Sequence, residues 1–406
     1  MNTTKILPVP YHQQDTNYYC GAACAQMVLD TINLRLADQD FLYAENHAHS
    51  IRDTGYWNTG PDGLEWTMRR YDPGNHEFTL SVLEQEEQVS RRIAWSIQTQ
   101  NMPSIALVYN WQHWIIVHGY TASAPANTGS GFTIQSFDVS NPWPPVPSVV
   151  YPRTYLPPPP PHGPNDGCGS GDVRGMGVQN ISYQEWQNTY LLRVPSGHWE
   201  GKFVALTSAP AATPPTPSGK RQKKKPWRTP ARNLLKPEEA VKHAFRGLKE
   251  YGLAKRASYV SALEHTRADE PLLVQRLDRL DSFYYIVPWK DKSGAIALVI
   301  AVDAMTGDYL ESAVRSGSTG SIIPHMDAKT ARERVVGRVI DLPGKQGRLR
   351  VREETTQLCT HFVWKPCRES LSAFWVFHLF TLGRLPIYVR CDGFIFMELD
   401  VEGRGL

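Results

Sequence analysis

The stretch from Gln13 to Asp30, QQDTNYYCGAACAQMVLD, sets Cys20 where a polar, aromatic loop gives way to apolar residues at helical spacing, Ala23, Met27 and Val28. A thiol at a helix start meets unpaired backbone N–H groups and the positive end of the helix dipole, which favour thiolate and hence nucleophilic chemistry. Six residues earlier stands Gln14, whose side-chain amide and the Cys20 backbone N–H can together hold an oxyanion. A thiol nucleophile also needs a base that takes its proton and returns it to a leaving amine, and histidine suits both tasks. Of the thirteen histidines, His113 in WQHWIIVHGY opens a run of bulky, β-branched residues. Strand alternation puts His113, Ile115 and Val117 on one face and His118 on the other, so the two histidines do not share a role. The following run leads into FDVSNPWPP, where Asn141 and Asp138 are both able to accept a hydrogen bond from the imidazole and hold its tautomer. Cys24 falls one turn beyond Cys20, inside the helix, and reads as a core thiol.

Positioning these residues takes a helix from about Cys20 to Ile32, helical pieces to about Gln100, and a run of strands, which is an α+β order. The strands are IALVY (105 to 109), HWIIVHGY (113 to 120) and FTIQSF (132 to 137), and the segment ISYQEWQNTYLL closes the domain. Pro157 to Pro161 and the following HGPNDGCGSGDVRG read as a surface loop, since Pro and Gly at this density suit neither helix nor central strand.

Gln14, then CGAA with Cys20 opening a helix, then HWIIVHGY, then NPW resembles a papain-like cysteine peptidase in residue types and order. The form CGAACAQMVL with HWIIVHGY is most similar to the bacterial group around the bacteriocin-processing, double-glycine peptidases, over residues 5 to about 195. The resemblance implies Cys20 as thiolate nucleophile, Gln14 as oxyanion partner, His113 as general base, and a third residue after the following strand. This chain departs from the bacterial pattern in carrying Asn141 before Pro142 where that group usually has Asp. Asn141 with Trp143 two residues on is similar to the Asn-x-Trp of the plant-type enzymes, so Asn141 is the preferred third residue and Asp138 the alternative. A related amidase or acyl-transfer enzyme, or an idle binding module, remain the other readings. The long proline-rich loop, larger than a minimal member needs, is expected to shape a substrate cleft.

A length of 406 residues, 41% hydrophobic, exceeds one ordinary core and predicts two domains. The expected division is 1–207 for the peptidase-like domain, 208–233 for a linker rich in Pro, Ala and Lys, and 234–406 for a second, smaller α+β domain. A net charge of +3 from 43 basic and 40 acidic residues makes no global field, so neither nucleic acid nor a membrane surface is an expected partner. A peptide or protein substrate is. The opening MNTTKILPVPYHQQ lacks a secretory apolar run and six cysteines are few, so the expected location is the cytoplasm.

After the linker, KPEEAVKHAFRGLKEYGL predicts an amphipathic helix with acids in its first turn. A hairpin of SFYYIVPW (282 to 289) and AIALVIAVDAMTGDYLE (295 to 311) is expected next. Helix DAKTARERVVGRVI (327 to 340) with strands SAFWVFHLF (372 to 380) and PIYVRCDGFIFMELD (386 to 400) then reads as a second repeat. YYIVPW with VDAMTGDYLE resembles small PepSY-type domains attached to peptidases, which implies a regulatory or substrate-recruiting role. Cys359, His361, Cys367 and Cys391 lack the paired spacing of a zinc knuckle, and neither a metal nor another cofactor is expected.

Overall fold

The computed structural model describes residues 2–143 except 17, 34–38, 55–56, 73, 75 and 128–130; residues 176–208; and residues 234–399 except 280, 316–320, 325, 342–347, 371 and 384. The proline-rich run, its CGSG segment and nearly all of the expected linker lie outside the described residues. The chain forms two compact units, one built essentially from Met1–Pro226 and the other from Trp227–Ser312 with Thr319–Glu402. Each is a mixed α+β body whose sheet is mostly antiparallel.

The first unit runs β1 (Thr3–Ile6), α1 (Cys20–Asn33), α2 (Gln39–Ala48), α3 (Pro61–Tyr71), β2 (Phe78–Leu83), α4 (Glu86–Trp95), β3 (Ser104–Val108), β4 (His113–Ala122), β5 (Ile134–Ser140), β6 (Met176–Ser182), a short α5 (Tyr183–Glu185) and β7 (Phe203–Ser208). Its sheet has the order β6-β5-β4-β3-β7-β2, with β1 beside the far half of β4. Every residue of β4 is buried, as the unbroken HWIIVHGYTA demands of a strand with neighbours on both edges and cover on both faces. Helix α1 packs on β4, which brings the helix that starts with Cys20 to the strand that starts with His113.

Three strands correct the expected order: β1 lies in the stretch read as the opening loop, and β2 and β7 add a pair. β2 falls within the stretch read as helical pieces, and β7 follows the segment expected to close the domain; they pair over six positions from Phe78↔Ser208 to Leu83↔Phe203. β2 buries only Phe78 and Ser81, so it carries no clean alternation to read. β3 stops at Val108 because Tyr109 turns left-handed, and β5 runs on to Ser140 instead of ending at 137.

The second unit runs α6 (Pro237–Glu250), α7 (Ala257–Glu264), β8 (Arg267–Ala268), β9 (Leu272–Arg276), β10 (Phe283–Lys290), β11 (Ile296–Asp303), β12 (Tyr309–Arg315), α8 (Ala328–Val335), β13 (Val339–Asp341), β14 (Arg348–Arg350), β15 (Thr356–Trp364), β16 (Phe377–Leu382), β17 (Leu385–Arg390) and β18 (Ile395–Phe396). Its sheet order, β18-β17-β16-β15-β9-β10-β11-β12, is symmetric about the parallel pair β15 and β9. Each half therefore follows a helix with an antiparallel series of strands, α6 lying on β10 and β11 and α8 on β17. The helix expected over 327–340 ends at Val335, because Gly337 at φ 83° turns the chain into the β13–β14 ribbon. The strand expected over 372–380 is shortened to β16 by a turn from Ser372 to Trp375.

Candidate active site

Cys20 is the first residue of α1 and is fully buried. The loop before it is pinned by buried amides: Gln39 Nε2 donates to the Gln13 carbonyl at 2.9 Å and to Gln26 Oε1 at 2.8 Å, while its own Oε1 accepts from the Asp15 backbone N–H at 3.1 Å. Tyr19 stacks on Tyr43 at 4.6 Å and donates its hydroxyl to Asp40 at 2.7 Å. Gly21 is a spacing requirement. A Cβ there would lie 2.5 Å from Thr59 Cγ2, so only glycine admits Thr59 against the helix start. The Thr59 carbonyl in turn accepts from Trp114 Nε1 at 3.1 Å. Thr59 is thus a wedge that touches the neighbour of Cys20 on one side and the neighbour of His113 on the other.

His113 is fully buried at the start of β4, opposite Val108 of β3. On the other edge the register sets Ile116 opposite Ser140, so Asn141 leaves β5 beside the His113 end of β4. His113 Nε2 and Asn141 Oδ1 are 2.7 Å apart, and the Trp143 backbone N–H donates to that same Oδ1 at 3.0 Å. A backbone N–H can only donate, so the atom it meets is the amide oxygen and not the amide nitrogen. The same oxygen then accepts from His113, which makes Nε2 the protonated nitrogen and leaves the lone pair of the neutral ring on Nδ1. Nδ1 is buried and has no hydrogen-bond partner, so no hydrogen bond joins His113 to the Cys20 thiol. Burial lowers the His113 pKa from 6.5 to about 4, the bond to Asn141 offsetting part of the shift, and the ring is neutral at physiological pH.

Asp138 is not the partner of His113. It sits opposite Gly119, where β4 and β5 shift register, and its Oδ1 accepts from Asn180 Nδ2 at 2.9 Å. Gln14 is stitched to the Asn141 segment: its backbone N–H donates to the Pro142 carbonyl at 2.9 Å, and Tyr11 donates its hydroxyl to the Asn141 carbonyl at 2.9 Å. The Gln14 amide nitrogen, expected to face the Cys20 backbone N–H, donates to the Thr16 carbonyl at 2.6 Å, and Gln14 Oε1 is buried without a partner. His118, on the other side of β4, is packed in the sheet with Nδ1 3.1 Å from the Leu7 carbonyl. Cys24 is buried one turn below Cys20, and burial, followed by the Cys20 charge, pushes its thiol pKa well up.

The turn that delivers His113 is strained. Tyr109, Asn110 and Trp111 have φ of 56°, 54° and 68°, three successive left-handed residues without a glycine, which cost roughly 1–2 kcal/mol each. Bonds from Tyr109 N–H to the Tyr190 carbonyl at 2.9 Å and from Gln112 N–H to the Val108 carbonyl at 3.1 Å hold it, with Trp111 set edge-on to Trp57 at 5.2 Å. Thr59, Trp57 and Gln112 are absent from the residues that sequence patterns single out. The available signals were the glycine after Cys20 and a glutamine standing in the apolar run before His113.

Among the described residues, no group of three or more His, Cys, Asp or Glu side chains is placed to hold a metal ion. Cys359 Sγ lies 3.5 Å from His361 Nε2, while burial pushes the Cys391 thiol pKa up to about 12 and that of Cys367 also upward. No helix of the described residues is long and apolar enough to cross a membrane.

No family model matches the chain, and no curated protein matches it. Among solved structures the chain is similar to the Bacillus megaterium YpeB C-terminal domain at 10% identity, over 43% of this chain and 70% of that one, with a TM-score of 0.16. A likeness that slight carries no weight for fold or function.

Proposed function

We propose that the chain is a cysteine peptidase whose first unit has a papain-like fold. The reading is supported above all by the Asn141 oxygen shared between His113 Nε2–H and Trp143 N–H, which leaves a basic Nδ1 on a buried ring at the start of the strand that α1 covers. In this reading His113 Nδ1 takes the proton of Cys20 as Sγ attacks the substrate carbonyl carbon. The oxyanion is held by the Cys20 backbone N–H and by Gln14 once its amide turns from Thr16. The C–N bond then breaks as His113 returns the proton to the leaving amine, and water, deprotonated by His113, releases the acid from the thioester. Asn141 orients the ring throughout, and no metal or cofactor takes part. An amidase or acyl-transfer enzyme would use the same steps on a different carbonyl.

We assign the substrate to peptides or proteins and the location to the cytoplasm, with neither nucleic acid nor a membrane as partner. The second unit is read as a PepSY-like pair of repeats that restrains or recruits. If it recruits, the full chain should favour a protein substrate over a peptide copied from its cleavage site by about tenfold or more; equal kcat/KM would leave restraint, which cleavage within 209–233 should relieve.

The central test is alkylation with iodoacetamide at about pH 6, mapped by mass spectrometry, beside peptide turnover. Cys20 should be modified ahead of the other five cysteines, with turnover lost in step, and Cys20→Ala should abolish turnover. Even labelling of all thiols, or turnover surviving Cys20→Ala, would sink the proposal.

A further inference from the structure

Gln112 precedes His113 and is nearly fully buried, yet neither its Nε2 nor its Oε1 has a hydrogen-bond partner. A buried primary amide with donors and acceptor all unmatched is rare in folded proteins, because each unpaired group forfeits its bonds to water. Two more such atoms belong to residues tied to this place. Trp57 Nε1 is buried and unpartnered, and its ring meets that of Trp111, the residue before Gln112. Thr59 Oγ1 is likewise unpartnered, and Thr59 rests against Gly21 beside Cys20. The strained turn at Tyr109, Asn110 and Trp111 delivers Gln112 and His113 together. Backbone strain clusters at ligand clamps and active sites, and a ligand is one of the partners that buried unmatched polar atoms can await.

We infer that Gln112, with Thr59 and Trp57, is a subsite for the main chain of an extended peptide substrate next to the scissile bond. An amide side chain offers one donor edge and one acceptor edge, which complement the C=O and N–H of a peptide group in a paired fashion. The hydroxyl of Thr59, which rests against Gly21 beside Cys20, and the indole N–H of Trp57 supply further donors. Such a subsite selects peptides over esters or amides that lack a flanking peptide group. The inference rests on the cysteine peptidase reading and deepens it by naming what holds the substrate.

The test uses the full chain and Gln112→Met, which keeps the volume of the side chain and removes its donors and acceptor. Two substrates are compared: a peptide with several residues on each side of the cleaved bond, and a small acyl ester without a flanking peptide group. Losing the paired bonds should lower kcat/KM for the peptide by roughly ten- to thirtyfold more than for the ester. Equal losses on both would mean that Gln112 acts only through His113, and no loss on either would mean that its amide is idle or satisfied by a buried water. Both results overturn the inference. Calorimetric binding of the same peptide to Cys20→Ala and to Cys20→Ala/Gln112→Met gives a second readout without turnover. The double variant should bind about tenfold more weakly, and unchanged binding is again a refutation. If wild-type protein cleaves neither substrate and Cys20 resists alkylation, the peptidase reading has failed and this inference falls with it.

Discussion

Replacing Asn141 by alanine removes the one side-chain oxygen that fixes the His113 ring. The bond lost is the 2.7 Å contact from Nε2–H, made between two fully buried groups, and the Trp143 N–H loses its acceptor at the same time. An orphaned buried donor costs about 1–3 kcal/mol. The ring can avoid that cost by rotating or by moving its proton to Nδ1, and either change removes the base. If the productive tautomer loses 1.4 to 3 kcal/mol relative to its competitors, its population falls by about one to two decades, and kcat should fall with it while KM changes little. Stability also declines, so the rate is taken below the melting transition and normalised to the fraction of alkylatable Cys20. Asn141→Asp separates orientation from charge. Its carboxylate accepts both hydrogen bonds, and its negative charge favours the imidazolium, so the acidic limb of kcat/KM should move upward from about pH 4. A folded Asn141→Ala protein with kcat within about twofold of the parent, or a larger loss in Asp138→Ala, would refute the reasoning from the shared oxygen.

The His113 ring also makes stability depend on pH. Its pKa in the folded chain is about 4 against 6.5 unfolded, so the unfolded state binds more protons between these values. The associated stability is fully present above pH 6.5 and is lost as pH falls through 4, by up to roughly 3 kcal/mol. Urea midpoints of the parent and of His113→Gln should converge as pH falls through that window, and parallel curves would contradict the assigned cause. Gly21→Ala forces a methyl to within 2.5 Å of Thr59 and should cost about 1–3 kcal/mol, relieved when combined with Thr59→Gly; simple additivity in that double variant would refute the wedge.

Some of the site is legible because local patterns specify it. Cys20 begins α1 because helical spacing starts at Gly21, and His113 begins β4 because the left-handed Tyr109, Asn110 and Trp111 end the preceding strand. The choice between Asn141 and Asp138 is of another kind. What separates them is position along β4: Asn141 follows β5 beside the His113 end, whereas Asp138 lies within β5 opposite Gly119, a placement set by the pairing of the two strands and not by the periodicity of either. Asp138 is thereby carried to Asn180 while Asn141 reaches the ring. Thr59 and Gln112 escape sequence reading for a related reason. Thr59 matters through contacts with Gly21 and Trp114, the latter 55 residues away, and Gln112 through the absence of partners, which only a packed interior reveals. β2 and β7 pair with each other across the whole first unit, so neither announces itself alone.

On the proposed peptidase reading, the position of Cys20 at a helix start favours a standing thiolate, but the imidazole argues for a different resting state. A stored thiolate–imidazolium pair requires His113 to be protonated near neutrality, and a ring with a pKa of about 4 is not. Cys20 and His113 are both fully buried, so an ion pair between them would forfeit the hydration of two charges, and no hydrogen bond between them repays it. The imidazole therefore rests neutral, and in the proposed mechanism it takes the thiol proton as charge develops on the substrate oxygen. In that mechanism the helix end acts on the transition state, where its N–H groups would meet the negative charge that develops on the substrate oxygen. The same burial that depresses His113 keeps it an unprotonated base down to about pH 4, so turnover should survive well into the acidic range where a base of ordinary pKa would already be charged.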